Sequence, residues 1–159
     1  MGYVPAIFVV IGACFLWGIV NYSSLNSRRK SILDFLGLIK EKVAERNRII
    51  QAILNEATPT QLGGLDLHYF EEVNTIEYSE TSRFYKKELE VNEWVKKLIT
   101  QLTHVEYDST TISMLSSAQE EVAVPIGAYY KVTREFNTLL KSVPSSYMGK
   151  WLGYKEVAI

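Results

Sequence analysis

The hydrophobic pattern of this 159-residue chain changes character as it runs. Residues 3–22, YVPAIFVVIGACFLWGIVNY, carry no charged side chain. An α-helix rises about 1.5 Å per residue, so about 20 such residues cover the ~30 Å hydrocarbon core of a bilayer. Tyr3 at one end, and Trp17 and Tyr22 toward the other, stand where amphipathic rings settle at headgroup level. Pro5 suits the first turn of a helix, where its missing N–H leaves nothing unpaired.

Beyond this stretch the apolar residues become periodic. Ile32, Leu36, Ile39, Val43, Ile50 and Ile53 alternate four- and three-residue steps, with Arg46 occupying one place in the series. That spacing predicts a helix with one apolar face at close to a heptad period. No proline lies between Pro5 and Pro59, so the apolar stretch either runs unbroken into this helix or breaks within Asn21–Ser27. Pro59 disfavours helical geometry just before it and predicts an end near Asn55–Thr58. Residues 58–67, with Gly63-Gly64, read as a connection. Residues 66–78 are ambiguous and allow a short extra helix.

A second long helix is predicted over about 80–104, with Phe84, Val91, Val95, Leu98 and Leu102 as its stripe and Trp94 and Ile99 beside it. Glu88 takes one stripe position, as expected of a solvated end. Ser109 or Thr110 can cap a third helix. Its stripe is Ile112, Leu115, Val122, Ile126, Tyr129, Phe136, Leu140 and Val143, with Gln119 and Thr133 at two polar steps. Pro125 predicts a kink or two helices in sequence, and Pro144 ends the element. The tail carries Tyr147, Met148, Trp151, Leu152 and Tyr154, enough apolar groups to cover one end of a bundle. With Lys150 and Lys155 they also suit a membrane interface, the lesser of the two expectations.

The expected fold is therefore all-α: an N-terminal transmembrane helix followed by an antiparallel three- to four-helix bundle. Its divisions are an anchor at 1–22, a bundle at 23–143 and an aromatic tail at 144–159.

Charge orients this arrangement. Arg28, Arg29 and Lys30 follow the apolar stretch and no Lys or Arg precedes it. The positive-inside rule then places the N-terminus outside and the bundle in the cytoplasm. MGYVP lacks the basic start of a cleaved signal. Ile11-Gly12-Ala13-Cys14 resembles a lipoprotein box only loosely, because the apolar run continues past Cys14. Ala6 stands where N-myristoylation wants Ser or Thr. Cys14 is the single cysteine, so the rest of the chain has no disulfide framework and no thiolate metal site. A net charge of −1 with 22% charged residues gives no reason to expect nucleic acid as a partner.

The third helix and tail resemble a known family. Tyr129, the run Arg134-Glu135-Phe136-Asn137-Thr138-Leu139-Leu140-Lys141-Ser142-Val143-Pro144-Ser145, and then Gly153-Tyr154 are similar to the C-terminal signature of the LemA family. Arg46 with Ile49-Ile50 and Ile53-Leu54 resembles that family's Arg-rich run into paired aliphatics, and Asn21 and Leu25 its residues just past the anchor. The likeness covers about 21–56 and 128–154. Gln51, Tyr130 and Pro125 depart from the pattern, and the middle is short. The resemblance implies a helical bundle anchored in a bacterial-type inner membrane with its N-terminus outside. It implies no catalytic residues.

Candidate chemistry is sparse. His68 and His104 lie far apart, and neither has a His or Cys at helical spacing. Asp66, Glu71 and Glu72 beside His68 are more economically a solvated acidic edge than a metal site. Gly63-Gly64 lacks the Lys-Ser/Thr of a phosphate loop. No enzyme, cofactor or metal is expected.

Residues 66–93 hold eight acids (Asp66, Glu71, Glu72, Glu77, Glu80, Glu88, Glu90, Glu93) against three bases, whereas residues 24–56 hold seven bases against four acids. Such segments either attract one another within a bundle or make the acidic one a docking surface for a basic partner. Arg46 stands apart, because an unpaired buried charge costs several kcal/mol. Glu120, Glu121 or Glu88 would serve as its partner. The expectation is a non-enzymatic membrane scaffold or adaptor, self-associating or docking other membrane proteins. Its rival is a small ligand-binding module or an accessory regulator of a membrane protease or transporter.

Overall fold

In the computed structural model, the described residues are 3–58, 61–63, 65 and 81–157. Among the described residues four helices follow one another: α1 (Tyr3–Glu56), α2 (Thr81–His104), α3 (Ser109–Lys141) and α4 (Ser145–Trp151). The protein is all-helical, with no strand among the described residues. The expected extra helix at 66–78 lies outside them.

α1 passes through Asn21–Ser27 without a break. The short polar residues there turn their hydrogen bonds back onto the helix: Asn21 Nδ2 donates to the Trp17 carbonyl (2.8 Å) and Ser31 Oγ to the Ser27 carbonyl (3.1 Å). Leu25, on the next turn, is fully buried. Local polar residues that could have ended the helix instead reinforce it. Among its described side chains, residues 7–17 are all exposed. The most apolar 18-residue window has a mean hydropathy of 1.8, with none of it buried in the protein. α1 is long and apolar enough to cross a membrane.

α2 ends in a Schellman motif. Tyr107 N donates to the Leu102 carbonyl (3.0 Å) and Glu106 N to that of Thr103 (3.3 Å), with Glu106 in the left-handed region at φ 52°. The cap of α3 is Asp108, not Ser109 or Thr110. Its carboxylate accepts from the backbone N–H of Thr111 (2.9 Å) and Thr110 (3.4 Å), and from the Thr111 hydroxyl (2.6 Å). A charged acceptor at this end also answers the helix dipole. The Thr111 hydroxyl, followed by these backbone bonds, holds the Asp108 carboxyl below its usual range.

α3 carries Pro125 inside a single helix rather than dividing there. The ring is buried in the apolar stripe, where Ile126 had been expected and is only half-buried. Val143, expected in the same stripe, is 75% exposed, because α3 stops at Lys141 before the residue can turn inward.

Contacts divide the chain into two units: Met1–Asp34 with Tyr129–Val157, and Phe35–Ala128. Among the described residues the second is a bundle of three helices whose core joins Ile50, Ile53, Val91, Val95, Leu98 and Leu115. The first buries Leu25, Ile32, Tyr129, Thr133, Phe136 and Ser145.

Candidate functional site: a buried ion pair beside an apolar groove

In the second unit the heptad stripe of α1 presents Arg46 where an aliphatic residue would otherwise stand. The guanidinium is 1% exposed and Glu88 on α2 is 5% exposed. Glu88 therefore lies in the core, not at a solvated end, since it is the acid that faces Arg46. Nη1 and Nη2 donate to the two carboxylate oxygens, the second at 3.3 Å. Nη1 also reaches Gln119 Oε1 on α3 (3.3 Å), while Nε and Nη2 reach Asn47 Oδ1 (3.3 and 3.2 Å). Gln119 Nε2 in turn donates to Asn92 Oδ1 (2.7 Å). One polar layer thus ties three helices, and the planar fork of arginine suits such bidentate pairing.

The other acids named for Arg46 are placed differently. Glu121 accepts from Lys42 (2.6 Å), which also meets Glu45 (3.3 Å), and Glu120 is exposed. Hydrogen bonding to Glu121, then to Glu45, raises the Lys42 pKa.

The polar layer opens beside a groove of about 210 Å³ between α2 and α3. Leu89, Val122, Ala123 and Ile126 give it apolar walls, and Glu88, Asn92 and Gln119 line its polar side. Every polar group here is already engaged in the layer, so the groove suits an apolar side chain better than acid–base chemistry. His104 is exposed near the end of α2, and His68 lies outside the described residues. Among the described residues no group of His, Cys, Asp or Glu could hold a metal ion.

Of the acidic segment, Glu88, Glu90 and Glu93 are described, and each has a cation. Glu90 meets Lys87 (3.8 Å) and Glu93 meets Lys96 (2.8 Å). The hydrogen bond from Lys96 lowers the Glu93 pKa. Asp66, Glu71, Glu72, Glu77 and Glu80 lie outside the described residues.

The first unit gathers most of the C-terminal motif around α1. Arg28 pairs with Glu135, Arg29 lies 4.7 Å from the Tyr154 ring centroid, and that ring meets Phe136 at 6.1 Å. Asn137 holds the tail by two bonds, donating to the Val157 carbonyl (2.8 Å) and accepting from its N–H (3.0 Å). Gly153, at φ 69°, supplies the left-handed residue of a second Schellman motif after α4. Gly149 lets α4 approach α3, since a Cβ there would collide with Leu140. Arg134 is exposed, and Pro144 starts α4. Two of the three basic residues read as setting topology are thus also engaged within the unit, while Lys30 is exposed. Trp17 and Tyr22 are exposed, and the side chains of Tyr3 and Pro5 lie outside the described set.

Comparison with known proteins yields no match to any family model, curated protein or solved structure.

Sequence reasoning missed Asn137 as a clamp and Asp108 as a cap. An Asp directly before Ser-Thr-Thr was a usable signal for the cap. The clamp joins positions 20 apart and left no periodic trace.

Proposed function

We propose that this chain is a single-pass, membrane-anchored helical scaffold or adaptor without enzymatic activity. In this reading its N-terminus is outside and its helices are in the cytoplasm of a bacterial-type cell. The observation that carries the proposal is the apolar start of α1: residues 7–17 are exposed and the helix continues without a break into the residues that build both units. An apolar helix with no protein covering it finds its cover in lipid. The resemblance of Tyr129, Arg134–Pro144 and Gly153-Tyr154 to the LemA signature supports the same reading, as does the Arg28–Lys30 cluster.

The groove of about 210 Å³ is smaller than the roughly 300–1,000 Å³ of most small-molecule sites. At this groove, that size favours the docking of an apolar side chain over a small molecule. The anchor confines copies to two dimensions, where weak contacts suffice for assembly.

Alkaline carbonate extraction and protease protection on intact cells and inverted vesicles test the anchor and its direction. Release by carbonate refutes the anchor, and cleavage of the tail from outside reverses the orientation. The mass of full-length protein in native nanodiscs then separates the roles. A defined large particle makes it a self-associating scaffold, and a monomer makes it an adaptor.

A further inference from the structure

The tail was expected chiefly to cover a bundle end, yet its largest ring is the most exposed large apolar group described. Val143, Tyr147 and Trp151, spaced four apart, are 75%, 70% and 82% exposed. On the opposite side of α4, Ser145 and Gly149 are buried and Met148 and Leu152 half-buried.

The first unit fixes the level of that outer face along α1. Met148 Cε lies 3.8 Å from where a Cβ on Gly18 would stand, and Ser145 Oγ donates to Asn21 Oδ1 (2.8 Å). α4 therefore packs beside residues 18–21, the last turn of the charge-free stretch. Trp17 and Tyr22, 54% and 45% exposed, flank the same turn. Lys150 and Lys155 are exposed on the tail, and Lys30 on α1 two turns beyond Tyr22.

We propose that α4 is a membrane-interface helix. Val143, Tyr147 and Trp151 enter the boundary between headgroups and acyl chains beside the span, and Lys150 and Lys155 meet anionic headgroups. The inference rests on the anchor proposed above and adds a second lipid contact to it. The occupant is lipid because α4 packs beside Gly18 and Asn21, so its exposed rings stand at the level where the exposed apolar stretch of α1 ends. The tail also pairs aromatic rings with lysines, the composition that settles at an interface rather than in a core. A short helix with few buried groups would bind a bilayer weakly alone; here the span holds it at the surface.

The test uses full-length protein in vesicles of phosphatidylcholine and phosphatidylglycerol brominated at shallow or deep acyl positions. A variant keeping only Trp151 (Trp17→Phe with Trp94→Phe) reports on α4, and one keeping only Trp17 (Trp94→Phe with Trp151→Phe) reports on the span. The expected result is blue-shifted Trp151 emission that loses about half its intensity to shallow bromines and less to deep ones, as a ring buried ~5–10 Å into the interface should. Quenching of Trp17 without Trp151 overturns the proposal and leaves the anchor standing. In that case blue-shifted Trp151 emission identifies a protein surface as the cover. Quenching of Trp151 alone keeps α4 on lipid and removes the span; quenching of neither refutes both. Should loss of Trp94 impair folding, the difference between the parent and Trp151→Phe gives the same reading.

Discussion

The two units stabilise themselves by different means. The Phe35–Ala128 unit buries a continuous aliphatic core, in which Ile50, Val95, Leu98, Leu102 and Leu115 are each 0% exposed, around one ion-paired layer. The unit of Met1–Asp34 and Tyr129–Val157 has fewer large apolar groups inside. Its partners are joined by directed contacts: Arg28 to Glu135, Arg29 over Tyr154, Ser145 to Asn21 and Asn137 to Val157. Burial scales with area and resists small changes of geometry, whereas directed polar contacts specify position and add little each. The first kind of unit should unfold as a block, and the second should loosen piece by piece.

The largest expected effect tests the block. Arg46→Met leaves Glu88 buried and uncompensated and should lower stability by about 3–5 kcal/mol in urea unfolding followed by Trp94 emission. Arg46→Met with Glu88→Leu should recover most of that loss or exceed the parent, because both desolvated charges are then gone. A double variant as weak as the single one would mean the layer does more than pair its charges.

Asn137→Ala tests the other kind of stabilisation. It removes two bonds to the Val157 backbone, a loss of about 1–3 kcal/mol confined to the tail. Hydrogen exchange should rise after Gly153 while the Trp94 transition stays in place. A shift of both would erase the contrast between the units.

A finer comparison lies in the two Schellman motifs, one with Glu106 and one with Gly153 at the left-handed position. Glu106→Gly should stabilise by about 0.5–1 kcal/mol, because the side-chain clash outweighs the added chain entropy. Gly153→Ala should destabilise by a similar amount, about 1 kcal/mol, although open space surrounds it.

The smallest effect is on pH. The folded Asp108 pKa is lowered, so its share of stability is complete above the unfolded carboxyl value and is lost as pH falls through the folded one. Asp108→Asn keeps a cap but not the charge, so it should flatten this acid-side loss of thermal stability and give up at neutral pH the small share that the ionised carboxylate contributes.

The contrast also explains what the sequence disclosed. Ile39, Val43, Ile50 and Ile53, with Val91, Val95, Leu98 and Leu102, announce the bundle because burial imposes a helical period on apolar residues. Arg46 was legible for the same reason, as a charge breaking the period, and Glu88 was open to two readings until its neighbour was known. The first unit is different. Nothing local links Asn137 to Val157 or Ser145 to Asn21, since such contacts require only that two positions meet in space. Pro125 left open whether the helix bends or divides; it does not divide, because a proline removes one hydrogen bond, a loss that packing of its ring in the stripe offsets.

The unbroken passage of α1 through Asn21–Ser27 acts as a keyed shaft. The same rigid rod carries the charge-free stretch and the Asn21–Arg29 surface that α4 and Tyr154 grip, so the azimuth of the stretch is locked to that of its collar. Each residue advances a helix by about 100°. One residue inserted between Tyr22 and Leu25 would therefore swing Trp17, with the Gly18–Asn21 turn that α4 grips, a quarter-turn or more relative to the Arg29 surface that holds Tyr154. The side that α1 turns toward its neighbours is thus set by a joint built from a handful of polar side chains.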